Sequence, residues 1–264
     1  MPYSNLLDSI PIWAIYPLAL LIFLAVLELG YLAAKKQRQR TPDISDPGLG
    51  GLVGSTFALL AFLLGFVVAF GTNIYNERRQ MVMRDANAIT TAYLRAGTQA
   101  DPYRTQSRAL LSEAVDQRLL AVEKAADPAA VVAAANRVTQ INYELWSIGE
   151  TIAKEAATST TPVYLTSLND MISVFSERVN AALQMRTPPA LTMFLFAVAL
   201  LTLFLIGLQS GHAPRRNPAP LIVLALILSL VFYLIVDLDR PQQGLVRVPE
   251  QPLHNVQRQL SQMP

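Results

Sequence analysis

The chain has 264 residues, 52% of them hydrophobic and only 15% charged, well below the ~25% charge of an average soluble domain. A net charge of +2 is too small to point to nucleic acid as a partner. With no cysteine in the chain, disulfides, thiolate catalysis and thiolate metal sites are excluded.

The opening stretch MPYSNLLDSIPIW has no positive segment ahead of the first apolar run, and no small-residue cleavage site follows that run. It is therefore expected to stay as an anchor rather than leave as a signal peptide. Four apolar blocks occur, at 12–34, 50–72, 189–209 and 220–236. Each approaches the ~20 residues that carry a helix across a bilayer; the last is short and is expected to run on into Asp237. The pattern predicts a multi-pass protein of the cell membrane (for a bacterium, the inner membrane), with the lipid bilayer as its first partner. The expected fold class is all-α, with two spans in 1–72, a helical bundle outside the membrane over 73–188, two spans in 189–238 and a polar tail over 239–264.

Within the first block lies Glu28. It sits about 9 Å of helix before residue 34 at a rise of 1.5 Å per residue, shallow enough to reach Lys35 or Lys36. An intramembrane carboxylate is either paired in this way or functional.

The second block carries the most information. Gly51, Gly54, Ala58, Ala61, Gly65, Ala69 and Thr72 recur three or four apart, a stripe that lets helix backbones approach closely in lipid. Phe62, Phe66 and Phe70 repeat every fourth residue on a neighbouring face. Two readings stay open: ordinary packing, or a homo-oligomer in which this helix lines a central path and the rings form a hydrophobic constriction. The stretch GLGGLVGS at 48–55 lacks the lysine of a P-loop, and no strand pattern precedes it. Its glycines are better read as helix-packing positions.

No break separates the second block from 74–95, which predicts one helix of some forty residues leaving the membrane. Asp101-Pro102, Asp127-Pro128 and Thr161-Pro162 each place a capping residue before a proline suited to a first helical position. Apolar residues then recur with helical period: Val131, Ala135, Val138, Ile141, Leu145, Ile148 and Ile152, and later Leu165, Leu168, Ile172, Phe175, Val179 and Leu183. This spacing fits antiparallel helices in a bundle. In the tail, Leu253, Val256 and Leu260 suit a short helix docked on that bundle.

The fourth block ends in Asp237, Asp239 and Arg240, then Pro241. Acids at a helix C-terminus face the negative end of the dipole and need cations nearby. The second block ends on the same side just before Arg78 and Arg79, so the five charges are expected to form an ion-pair cluster, either as a lock on the helix ends or along an ion path. The short basic loops with Lys35, Lys36, Arg38 and Arg40, and with Arg215 and Arg216, favour the cytoplasm. By that rule the N-terminus and the bundle lie outside.

Chemistry of other kinds finds little purchase. His212 and His254 stand far apart without a partner motif, and no nucleophile elbow or metal-ligand cluster is present. No catalytic residue, metal or cofactor is expected.

The stretches VDLDRPQQGLVRVPEQPL and RRQMVMRDANAITTAYLR resemble a bacterial family of four-span proteins called bestrophin-like. The acid-acid-Arg-Pro ending followed by Gly-x-x-x-Val-x-x-x-Pro-Leu carries the resemblance. A more distant likeness to bestrophins, pentameric anion channels, implies that Phe62 and Phe66 in FLLGF form a hydrophobic neck passing a small anion. It also implies a cytosolic helical part, opposite to the orientation read from charge. The Arg-Trp-Trp that follows the neck in bestrophins is replaced here by Tyr75, Arg78 and Arg79. The alternative function is a non-conducting scaffold or sensor whose bundle binds a partner or ligand.

Overall fold

The computed structural model describes residues 10–40, 48–213, 216–240 and 244–263. It contains eight α-helices and no strand among these residues: α1 (Ile12–Arg40), α2 (Leu49–Ala96), α3 (Tyr103–Glu123), α4 (Pro128–Glu155), α5 (Thr161–Gln184), α6 (Pro189–His212), α7 (Ala219–Asp239) and α8 (Gln251–Gln262). Four of them, α1, α2, α6 and α7, are long and apolar enough to cross a membrane. The protein is an all-α integral membrane protein. The chain forms two units, one of Met1–Asn73 with Arg186–Arg240, the other of Ile74–Met185 with Pro241–Pro264.

The first unit is built from α1, the first half of α2, α6 and α7. Its core joins Ala19, Phe23 and Leu27 of α1, Leu60, Leu64 and Val67 of α2, Leu195, Ala199 and Leu203 of α6, and Ala225, Leu228 and Phe232 of α7. Phe23, Phe196 and Phe232 meet at centroid distances of 5.4–5.7 Å, and the two contacts of Phe232 are edge-on, the arrangement the ring quadrupole favours. The outward faces stay apolar, with Leu21, Leu29, Met193, Leu201 and Leu230 exposed, as lipid-facing helices must be. Hydroxyls inside the spans are satisfied locally. Thr202 donates to the Val198 carbonyl at 2.8 Å and Ser229 to that of Ala225 at 2.7 Å, which answers the requirement that polar groups in hydrocarbon find an internal partner.

The second unit packs the rest of α2 with α3, α4, α5 and α8. Ile89, Leu111, Val115, Ile141, Leu145, Tyr164, Leu168 and Met171 form its core, and Leu253, Val256 and Leu260 of α8 are buried in it. Tyr164 carries its hydroxyl into this core and donates to Ser107 Oγ at 2.8 Å. The N-terminus of α4 forms as its sequence suggests. Asp127 accepts from the Ala129 and Ala130 amides, with Pro128 at the first position. The other two Pro-marked starts differ in detail. Asp101 accepts from the side chains of Arg104 and Thr105 rather than from the backbone, and Thr160 is the capping position of α5.

Continuity between a span and the bundle is carried by α2, 48 residues without a break. By contrast, α5 ends at Gln184 and α6 begins at Pro189. Pro188 and Pro189 explain the interruption, since neither has an amide hydrogen and Pro188 is held extended ahead of Pro189.

Candidate functional site

Within the first unit, α2 presents two different sides. Val53, Leu60, Leu64 and Val67 are buried at spacings of three, four and seven, and the last three join the core shared with α1, α6 and α7. On the remaining circumference the described residues supply almost no cover. Phe62, Phe66 and Phe70 are 70%, 57% and 36% exposed, and Ala58, Ala61 and Ala69 are exposed too. A Cβ placed on Gly51, Gly54 or Gly65 would meet no atom within 4 Å. The three phenylalanines cover about 12 Å along the axis, eight residues at 1.5 Å each. Among the described residues, the small-residue stripe of α2 thus meets no other helix of the chain.

Where the chain does need small residues is the crossing of α1 and α6. A Cβ on Gly207 would lie 2.3 Å from the Leu27 carbonyl oxygen, and one on Gly30 would lie 2.3 Å from that of Phe204. Gly211 is similarly closed off by Ala34 and Tyr31. Backbone touches backbone here, the geometry that small residues four apart permit in lipid. The signal was present as the pair Gly207 and Gly211 in GLQSG, and the reading of the sequence passed over it.

Charges mark both ends of the spans. Asp237, with 1% exposure, and Arg240 are buried. Asp239 accepts from the Thr187 amide at 2.6 Å, and Arg240 donates through Nη1 to the Ile10 carbonyl at 3.0 Å. Arg78 and Arg79 belong to the second unit. Arg78 is buried and donates to the Met185 carbonyl; Arg79 is exposed and lines a groove of about 580 Å³ between α2 and α8. At the other end, Glu28 pairs with Arg216, not with the nearer lysines. The Arg216 guanidinium also lies over the Tyr31 ring, 4.4 Å from its centroid.

A further charge cluster lies inside the second unit. Asp85, fully buried, meets Arg118 Nε at 3.2 Å and Arg178 Nη1 at 2.8 Å, while Arg178 reaches Glu250 at 2.8 Å. The Arg118 guanidinium is 4.7 Å from the Phe175 ring centroid. Burial works against its charge, Asp85 supports it and Arg178 opposes it. Burial likewise raises the Glu250 carboxyl above its usual range, with Arg178 pulling the other way. Removing one partner of such a set leaves a buried charge uncompensated, a loss of ~3–5 kcal/mol. The sequence held a trace of this cluster, because Asp85 and Arg118 fall on the apolar stripes Val82–Ile89 and Leu111–Leu119. His212 is taken up locally, its Nδ1 lying 2.9 Å from the Leu208 carbonyl. Among the described residues no group of three or more acids and histidines is placed to hold a metal.

No curated protein matches the sequence of the chain. Solved structures of a bacterial bestrophin homologue from Klebsiella pneumoniae, each carrying a point mutation, superpose with TM-scores of 0.67 and 0.68 at 14% identity, covering 95% of this chain and 99% and 97% of theirs. A structure described only as a membrane protein gives 0.68 at 14% identity, over 96% of this chain and all of that one. At that identity the likeness is one of fold. The sequence itself matches the bestrophin-like domain over residues 19–253: the chain belongs to the bestrophin-like family.

Proposed function

We propose that the protein is an oligomeric channel for small anions, with α2 lining the path and Phe62, Phe66 and Phe70 forming its hydrophobic constriction. The observation that carries this reading is the side of α2 that none of the described residues covers: glycines with open space before them and exposed alanines, beside a ladder of exposed phenylalanines. Small residues favour contact with another helix more than contact with lipid tails, and the described residues offer no such helix there. Copies arranged about an axis would supply it and would turn the rings inward. A ring edge carries partial positive charge, so phenylalanines presented edge-on would suit an anion that sheds part of its water. A narrow apolar segment can also gate by dewetting.

The test is anion flux into liposomes containing the purified protein. Wild-type protein should dissipate a chloride gradient, and Phe62→Ala with Phe66→Ala should raise the flux several-fold by widening and wetting the neck. Flux equal to protein-free liposomes for both would remove conduction and favour a scaffold or sensor acting through the bundle, for which the groove beside Arg79, Asn87 and Asn255 is the natural site.

A further inference from the structure

The last turns of α1 carry four cations in six residues, Lys35, Lys36, Arg38 and Arg40. All are exposed. Among the described residues, Lys35, Lys36 and Arg40 make no ion pair or hydrogen bond, and Arg38 makes a long contact of 3.5 Å to the Ala213 carbonyl. That contact and the pairing of Arg216 with Glu28 bring the segment ahead of α7 to the same end of the spans. The nearest described carboxylate, Glu28, is thus already matched. Five cations stand at this end of the spans against that one acid, and counting Asp43 and Asp46 of the following segment still leaves a surplus.

Local effects do not account for this surplus. The helix dipole favours cations in the last turn, which covers Arg38 and Arg40 but not Lys35 and Lys36. Like charges four apart, as in Lys36 and Arg40, repel by roughly 0.2–0.5 kcal/mol in an isolated helix. The cluster follows directly on a lipid-facing apolar stretch with Leu29 and Leu32 exposed. Long basic side chains there can lay their stems along apolar surface and lift the charge to headgroup height. The opposite end of the same unit mixes signs, with Asp237, Asp239 and Arg240.

We propose that Lys35, Lys36, Arg38, Arg40 and Arg216 form a docking surface for the headgroups of anionic phospholipids. The charges are spread along about 8 Å of helix, five residues at 1.5 Å each. That suits a row of headgroups better than a single dissolved ion. The reading is independent of whether the protein conducts.

The experiment places the purified full chain in nanodiscs of phosphatidylglycerol and phosphatidylcholine, and measures the lipids retained per protein after mild detergent extraction. Each cation near an anionic surface strengthens association roughly fivefold. Wild-type protein should therefore enrich phosphatidylglycerol over phosphatidylcholine, and the triple change Lys35→Gln, Lys36→Gln and Arg40→Gln should cut that enrichment roughly tenfold or more. The pair Lys35→Arg and Lys36→Arg should keep it, and 0.5 M salt should weaken it in the wild type without recourse to any variant. No preference in wild-type protein, a preference untouched by salt, or one retained by the triple variant would overturn the proposal. Displacement of the lipid by millimolar inorganic phosphate would also overturn it, by making the site one for a dissolved anion.

Discussion

Gly207→Ala is the smallest change that separates packing within the chain from packing between chains. The new methyl would stand 2.3 Å from the Leu27 carbonyl oxygen and 3.1 Å from Gly30 Cα. Both are backbone atoms, which cannot rotate aside, so α1 and α6 must part. Overpacking of this kind costs ~1–3 kcal/mol, and even a 0.5–1 Å gap forfeits a quarter to a half of each dispersion contact along the crossing. Against this, alanine gains about 1 kcal/mol of helix propensity over glycine. The balance is a net loss of up to about 2 kcal/mol, or up to several degrees in melting temperature at roughly 2–4 °C per kcal/mol. The assay is thermal unfolding in detergent, followed by tryptophan fluorescence, with assembly size measured in parallel. Gly65 is the counterpart: no atom lies within 4 Å of its Cβ position. Gly65→Leu should leave the melting of the chain intact while reducing the assembly size, and Leu64→Ile should change neither. A Gly207→Ala protein melting at or above wild type would refute the close crossing of α1 and α6. An unchanged assembly size for Gly65→Leu would remove the α2 stripe from any interface.

Three further outcomes are expected. Glu250 is raised above its ordinary value of 4.5, first by burial and also by Asp85, against the pull of Arg178 and His254. A carboxyl raised on folding favours the folded state most below 4.5 and loses that contribution as pH rises through its folded value; hydrogen exchange of α8 should therefore slow on acidification toward 4.5, and Glu250→Gln should flatten that dependence. Asp237 and Arg240 are both buried, and we expect them to share one polar network: Asp237→Asn and Arg240→Gln should each destabilise by up to ~3–5 kcal/mol, with the double variant losing less than the sum, whereas strictly additive losses would show that the two do not interact. Single cysteines at Gln39 and Gln140 report orientation: the short basic loops predict labelling of Gln140 from outside and protection of Gln39, and the reverse pattern would place the bundle in the cytosol.

What the sequence made readable was whatever depends on neighbours along one helix. Four spans follow from apolar length, the 48-residue α2 from the lack of any breaker between Gly71 and Ala96, and the docking of α8 from the spacing of Leu253, Val256 and Leu260. Partners across long separations were not readable. Glu28 lies seven residues from Lys35 yet pairs with Arg216, 188 positions away, because the segment ahead of α7 returns to the end of α1. Periodicity likewise shows that Asp85 and Arg118 point inward, but not that Arg178 and Glu250 complete their network. For α5 the buried face centres on Tyr164, Leu168 and Met171, with Leu165 and Ile172 at its edge, a rotation of under half a turn that a run of leucines and isoleucines cannot reveal. As for the stripe on α2, its spacing announced a contact; only the folded chain shows that none of its described residues provides one.

Single-particle imaging of the purified protein tests the central claim most directly. The account predicts a closed ring of copies, with α2 nearest the symmetry axis, Phe62, Phe66 and Phe70 narrowing the path, and Gly54, Ala58, Ala61 and Gly65 against a neighbouring copy. A monodisperse single copy, or a ring in which the phenylalanine face of α2 is turned outward to lipid, would contradict it.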